Sequence, residues 1–159
     1  MECILVFDIG TTSLKTVVFD CEGNVVGSVS RSYPTSYPAP GMAEQHPEDF
    51  WEAAVQGVRD LAGRGILEGN RLAVIGLTGH MNGCLAVDSK GKPVYPELIH
   101  ADSRSSEQCR NILNVMPQEE IYAITGNRVD EHLSLPKLMW IRDHLEDAYE
   151  KTAWFINSK

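Results

Sequence analysis

Basic residues are in short supply: 14 Lys plus Arg stand against 22 Asp plus Glu, a formal charge of −8. Recognition of a phosphate backbone needs a basic footprint, so this balance argues against nucleic acid as a partner. Long apolar runs are missing as well. None approaches the ~20 residues of a membrane-spanning helix. The opening Met1-Glu2-Cys3-Ile4-Leu5-Val6-Phe7-Asp8 puts an acid ahead of an apolar stretch too short for a secretory signal. No membrane partner is expected, and a cytoplasmic location fits. Cysteine is sparse, and Cys3, Cys21, Cys84 and Cys109 show no Cys-x-x-Cys spacing. That points away from a zinc site or a disulfide framework and towards buried or half-buried free thiols. Internal repeats and low-complexity tracts are also absent.

The remaining composition, 43% hydrophobic and 23% charged, is that of a globular domain. A chain of this length buries roughly 70% of the surface its unfolded form exposes, enough for one domain with at most a small appendage. Cys3–Asp8 and Leu14–Asp20 are apolar, strand-like runs separated by Ile9-Gly10-Thr11-Thr12-Ser13. After a second turn at Asp20–Asn24, Val25–Arg31 completes an antiparallel meander of three strands. Prolines 34, 38 and 40 exclude helix and central strand from Tyr33 to Gly41. Pro47 with Glu48 and Asp49 marks a helix start, and Trp51, Ala54, Val55, Val58, Leu61 and Ala62 predict its buried stripe, ending near Gly63 or Gly65. The near-continuous run Leu72–Leu77 predicts a strand buried on both faces. Leu85–Asp88 with the turn Ser89–Lys92 predicts a further hairpin. Helices are expected over Arg104–Val115, over Gln118–Thr125 closed by Gly126, and over Pro136–His144 with Leu138, Ile141 and Leu145 as the apolar stripe. This order of strand, hairpin and helix implies an α/β fold, a mixed sheet covered by helices. The apolar patch Ala153–Ile156 stops at Asn157-Ser158-Lys159, so the chain reads as cut in mid-fold.

The segment Asp8-Ile9-Gly10-Thr11-Thr12-Ser13-Leu14-Lys15 carries the strongest chemical signal. Gly10 allows close approach of a phosphate to the backbone, successive amides at a tight turn form an anion nest, and three hydroxyls add donors. An aspartate beside a phosphate is repelled unless a divalent cation stands between them, which makes Asp8 a sensible Mg²⁺ partner. A polar hairpin turn chosen for turn chemistry alone is the other reading of the same residues.

The motif Asp8-Ile9-Gly10-Thr11-Thr12-Ser13 resembles the first phosphate motif of the sugar kinase, actin and Hsp70 superfamily, whose fold is ribonuclease H-like. Met42-Ala43-Glu44-Gln45-His46-Pro47, Gly76-Leu77-Thr78-Gly79-His80-Met81-Asn82-Gly83, His100-Ala101-Asp102-Ser103-Arg104, Thr125-Gly126-Asn127 and Leu135-Pro136-Lys137-Leu138-Met139-Trp140 follow in order. Together they resemble the N-terminal domain of the FGGY carbohydrate kinases, most closely the xylulokinase-like branch, over nearly the whole chain. The resemblance implies ATP and Mg²⁺ as cofactors, with γ-phosphate and metal contacts at Asp8, Gly10, Thr11 and Thr12 and an electrostatic helper at Lys15. It implies a sugar facing Met81 and Asn82, with His80 orienting, Asp102 accepting sugar hydroxyls, Arg104 holding that loop and the segment around His132 approaching the pocket. An amide such as Asn82 donates and accepts, while Met81 suits an apolar C–H face.

Other readings of these residues stand beside the implied ones. Asp102 also fits as a cap for the helix beginning near Arg104, His80 as a structural hydrogen-bonder, Glu44 and Gln45 as loop fixtures, and Trp51 and Trp140 as core residues. The branch pattern is Gln-Met-His-Gly where this chain has His80-Met81-Asn82-Gly83, and Trp where it has His100. Glycerol kinases resemble Arg-Glu at Met81 and Asn82, which disfavours glycerol and leaves a ketopentose such as xylulose. The resemblance places the catalytic base and the adenosine pocket beyond Lys159. On this reading residues 1–159 are a sugar-binding lobe whose partners are the sugar and the C-terminal lobe of the same kinase, with homodimerisation left open, and which alone shows little turnover. A non-catalytic sugar-binding or regulatory module, a kinase for another polyol or sugar acid, and an actin-like filament protein are the competing classes.

Overall fold

The computed structural model describes residues 2–159. In chain order its elements are β1 (Glu2–Ile9), β2 (Ser13–Asp20), β3 (Val25–Ser32), β4 (Glu44–Gln45), α1 (Pro47–Gly63), β5 (Arg71–Gly79), β6 (Leu85–Val87), β7 (Glu97–Leu98), α2 (Ser106–Val115), α3 (Gln118–Thr125), α4 (Ser134–His144), α5 (Glu146–Lys151) and β8 (Trp154–Ile156). They form two compact units. The first comprises residues 2–35, His46–His80 and Ser158–Lys159; the second comprises Ser36–Gln45 and Met81–Asn157.

The first unit is built on a sheet of order β3-β2-β1-β5. The expected meander is there: β1, β2 and β3 pair antiparallel, and β5 returns parallel to β1. Its second turn is fixed by the Asp20 carboxylate, which accepts from the backbone N–H groups of Glu22 and Asn24 and from the Asn24 amide. The Asn24 side-chain bond is the largest of the contacts that hold Asp20 below the usual carboxylate range. Alternation along β1 and β2 turns Cys3, Leu5, Ile9, Leu14 and Val18 towards the core shared with Phe50, Ala53 and Leu61 of α1.

The face α1 buries differs from the expected one. Phe50, Ala53, Gly57 and Leu61 are buried, with Ala54 and Val58 half-buried, whereas Trp51 is 75% exposed and is no core residue. Both sets repeat at three and four residues, so periodicity alone cannot choose between them. The choice is made by Gly57, which lets the helix sit against β2: a Cβ there would lie 2.3 Å from Thr16 Oγ1 and 3.0 Å from Thr16 Cβ. Gly57→Ala therefore lowers stability by about 1–3 kcal/mol through overpacking, despite alanine's better helix propensity. A urea midpoint at or above that of the parent would show that the helix rides farther from the sheet.

The run Leu72–Leu77 forms β5 but is not buried on both faces. Helix α1 packs on β2 and β3, and β5 lies at the sheet edge. Leu72, Val74, Ile75 and Leu77 are consequently 45–64% exposed among the described residues. Cys21 is likewise exposed, while Cys3, Cys84 and Cys109 are buried thiols.

In the second unit Cys84, Ala86, Leu98 and Ile141 form a core that Val94, Tyr95, Leu138, Trp140, Leu145 and Phe155 extend. Its two small ladders are β4 with β7 and β6 with β8, both antiparallel. The predicted hairpin at Leu85–Asp88 is reduced to one bridge, Val87 to Pro93, over a turn in which Asp88 accepts from the N–H groups of Lys90 and Lys92. The strand partner of β6 is β8, so the apolar patch near the end of the chain pairs within this unit. Helix α2 starts at Ser106 rather than Arg104, α4 at Ser134 rather than Pro136, and α3 ends as expected at Gly126 with φ 70°. Trp140 is half-buried against the core, a partial match to expectation. Among the described residues no helix is long and apolar enough to cross a membrane.

Candidate functional site

The turn between β1 and β2 is held rigidly from beneath. Gly10 N donates to Ser13 O at 3.0 Å, the Tyr33 hydroxyl donates to Gly10 O, and Tyr33 N donates to Thr12 O at 3.4 Å. Tyr33 is buried and meets Phe50 edge-on at 4.9 Å, so the pin is itself anchored in the core. A Cβ at Gly10 would stand 2.9 Å from Ser13 O, a backbone atom that cannot swing aside. Glycine is required there for closeness rather than for an unusual φ.

Above this base Asp8, Thr11, Thr12 and Lys15 are all exposed. Asp8 and Lys15 stand opposite each other in the ladder, on the face away from Ile9 and Leu14. An exposed carboxylate, two hydroxyls and a constrained glycine turn suit a phosphate with its cation. Among the described residues no three His, Cys, Asp or Glu side chains converge to cage a metal. A lone Asp8 fits Mg²⁺, which keeps most of its ligands as water and phosphate oxygen.

His80, at the end of the first unit, donates its N–H to Ile9 O at 2.8 Å. Its ring lies edge-on to Phe50 at 6.2 Å, with Nε2 3.3 Å from Ser158 Oγ. These contacts match the structural reading of His80.

In the second unit Met81 is 68% exposed and Asn82 takes a left-handed φ of 61°, a conformation asparagine tolerates better than most side chains. The loop is anchored through its backbone: Ser134 Oγ donates to Gly83 O at 2.8 Å, and Lys137 Nζ donates to Asn82 O at 2.9 Å.

Asp102 departs from the implied role. It is wholly buried, and Oδ2 accepts from Ala43 N at 2.7 Å and Arg104 Nε at 2.8 Å, while Oδ1 accepts from Arg104 N at 3.2 Å. A carboxylate so engaged has no face turned outward for sugar hydroxyls. It is not a helix cap either, since α2 begins at Ser106 with Ser105 as its N-cap residue.

Arg104 does hold this loop. Its Nη2 lies 2.7 Å from Asp102 and 2.8 Å from Glu44, whose Oε1 also accepts from the Tyr95 hydroxyl at 2.8 Å. The guanidinium stacks over Trp140 with 4.7 Å to the ring centroid. Desolvation pulls the Arg104 pKa down, but Asp102 and Glu44 more than reverse it, leaving it above the usual arginine value. Glu44 is thus a loop fixture, as its alternative reading has it.

His132 packs its ring against exposed His100 at 5.2 Å, and its carbonyl accepts from Lys137. Lys137 thereby draws together Asn82, Ile99 and His132, two of them candidate sugar-site positions. Sequence reasoning missed this lysine. The available signal was Lys137 four residues before the buried Ile141, a cation on an apolar helical stripe.

The sequence pattern of the FGGY family of carbohydrate kinases, N-terminal domain, matches residues 3–159. The chain belongs to this family. This FGGY chain is 33% identical over 159 residues to a xylulose kinase of Staphylococcus xylosus, covering 100% of the chain and 32% of that protein. It is 34% identical over 149 residues to a glycerol kinase of Petrotoga mobilis, covering 93% of the chain and 30% of that protein. The xylulose kinase structure from Rhodospirillum rubrum superposes with a TM-score of 0.92 at 28% identity, covering 98% of the chain and 32% of that structure. The FGGY fold seen here is that of the sugar kinases in the actin and Hsp70 superfamily, a mixed sheet with helices. The chain spans about a third of the length of these relatives.

Proposed function

We propose that the intact protein transfers the γ-phosphoryl group of ATP to a hydroxyl of a ketopentose such as xylulose, and that this chain is its N-terminal, sugar-binding part. The observation that carries the reading is the exposed Asp8-Gly10-Thr11-Thr12 turn, pinned by Tyr33 in a chain of the FGGY family. Gly10 and its neighbouring amides receive phosphate oxygens, the Thr11 and Thr12 hydroxyls donate to them, and Lys15 adds positive charge beside them. Asp8 would hold the Mg²⁺ that neutralises charge on the phosphates of ATP, the source of the transferable phosphoryl group.

In the second unit Asn82 exchanges hydrogen bonds with sugar hydroxyls, and Met81 covers an apolar C–H face. His132 borders the same group of loops. Asp102 acts through Arg104, keeping the loop after β7 in shape, instead of touching the sugar. The base that takes the hydroxyl proton, the adenosine pocket and the C-terminal lobe belong to sequence following Lys159. Because chemistry of this type is mostly positioning and electrostatics, misplacing either set of residues costs rate.

A polyol acceptor is the second reading, favoured by the similarity to the Petrotoga glycerol kinase. Met81 and Asn82 support the ketopentose instead, since an uncharged pair asks different hydroxyls for partners than an Arg-Glu pair does. Thermal shift and ADP release across D-xylulose, L-ribulose, D-ribulose, L-xylulose, glycerol and gluconate decide between them. Ligand at 100 times its Kd raises stability by about 2.7 kcal/mol, well within resolution of a melting curve. A shift and turnover with one ketopentose is expected. Response to glycerol alone would replace the substrate, and no ADP release with any acceptor would overturn the kinase reading.

A further inference from the structure

Lys137 is wholly buried, yet it lies on α4 in the second unit's core, where an apolar residue would suffice for packing. Its ammonium donates to three backbone carbonyls: Asn82 O at 2.9 Å, Ile99 O at 2.8 Å and His132 O at 2.8 Å. Three N–H donors meet three acceptors, the full capacity of an ammonium group. Those acceptors come from three separate stretches of chain: the loop after β5, the loop between β7 and α2, and the segment preceding α4. From the proposed sugar-kinase reading, on which this step rests, we infer that Lys137 is a positioning residue that sets the sugar-binding loops at Asn82, Ile99–Asp102 and His132 relative to one another.

The charge is held at a cost. Desolvation lowers the Lys137 pKa from its ordinary value to about 8, against the attraction of the acidic side chains Asp102, Glu97 and Asp130, which face it from the surrounding elements. The Cys84 thiol, pushed by burial up to about 12, keeps its proton over that range. A neutral amine offers only two N–H groups and turns a lone pair towards the third carbonyl. The three loops therefore lose one tie when Lys137 deprotonates.

Lys137→Met in the intact protein tests this, with the wild-type protein followed from pH 7 to 9.5. The expected result is a rise of about tenfold or more in sugar KM for the variant, with kcat and nucleotide KM nearly unchanged. The wild-type sugar KM climbs above about pH 8, and that of the variant is flat. Amide hydrogen exchange at residues 82–84, 99–103 and 130–134 accelerates together in the variant and, above pH 8, in the wild type after correction for intrinsic rates. A purely structural lysine would lower Tm and leave the sugar KM and its pH profile alone, and that result overturns the inference. If Lys137→Met does not fold, a wild-type sugar KM independent of pH overturns it. If the protein phosphorylates no sugar, the kinase reading fails by itself. The exchange data then decide this step, since protection lost at one segment, or at none, refutes a shared anchor.

Discussion

Asp8→Ala in the intact protein is expected to lower kcat by about 10²–10³-fold while shifting the Kd for the sugar by less than about twofold. The asymmetry follows from where Asp8 sits. It is exposed at the end of β1, opposite Lys15 and beside the glycine turn, in the unit that holds neither Met81 nor Asn82. On the proposed reading its carboxylate serves the cation on the phosphates, so its loss removes charge stabilisation that matters most as the phosphoryl group moves. Exposure of the side chain also means that alanine leaves no buried cavity, and the melting temperature should hardly change. Steady-state kinetics with calorimetry for sugar binding checks both halves. A large loss of sugar affinity at unchanged kcat would move Asp8 out of the phosphate site, and full activity would dismiss the turn as a phosphate cradle.

Arg104→Met is expected to be the most destabilising single change, costing about 3–5 kcal/mol, because it strips the cation from a buried acidic pair. Side-chain exposure is 3% for Arg104, 0% for Asp102 and 9% for Glu44, so water cannot take over the lost partner. The Trp140 face also loses its stacked guanidinium. Arg104→Lys should recover little, since one ammonium cannot span Asp102 and Glu44 as a planar fork does. The double variant Arg104→Met with Asp102→Asn should be less damaged than the two single losses added together, since one orphaned charge is gone. Denaturant midpoints of the four proteins measure this. Strict additivity would show that Asp102 and Arg104 are not coupled and would return Asp102 to candidacy as a sugar ligand.

The meander, the glycine turn and most helix boundaries were legible in the sequence because each is decided locally. Gly10, Asp20 and Gly126 dictate backbone conformation within a few residues, and alternation along β1 and β2 names their inner face without further help. What needed the structure was whatever a distant partner decides. Trp51 and Phe50 are adjacent and both satisfy a helical stripe; Gly57 against Thr16 settles which one faces the sheet. The composition of Leu72–Leu77 points to burial on both faces, but burial depends on what lies over a strand, and α1 covers β2 and β3. Asp102 was placed by the family's pattern, and the spacing Asp-Ser-Arg does not reveal that Ala43 and Glu44, some sixty residues earlier, close around it. Lys137 stayed hidden because its hydrogen-bond acceptors among the described residues are backbone carbonyls, which leave no mark in a sequence.

The anchoring by Ser134 and Lys137 has a consequence for how such proteins diversify. Both side chains grip main-chain oxygens on these loops, Ser134 at Gly83 and Lys137 at Asn82, Ile99 and His132. Main-chain oxygens survive any substitution, so the side chain at 81 is free to drift, and that at 82 within what its left-handed backbone allows, while the frame that presents them is retained. On the proposed kinase reading, substrate choice is then a fixed mount with exchangeable fittings, and a change of acceptor requires few mutational steps.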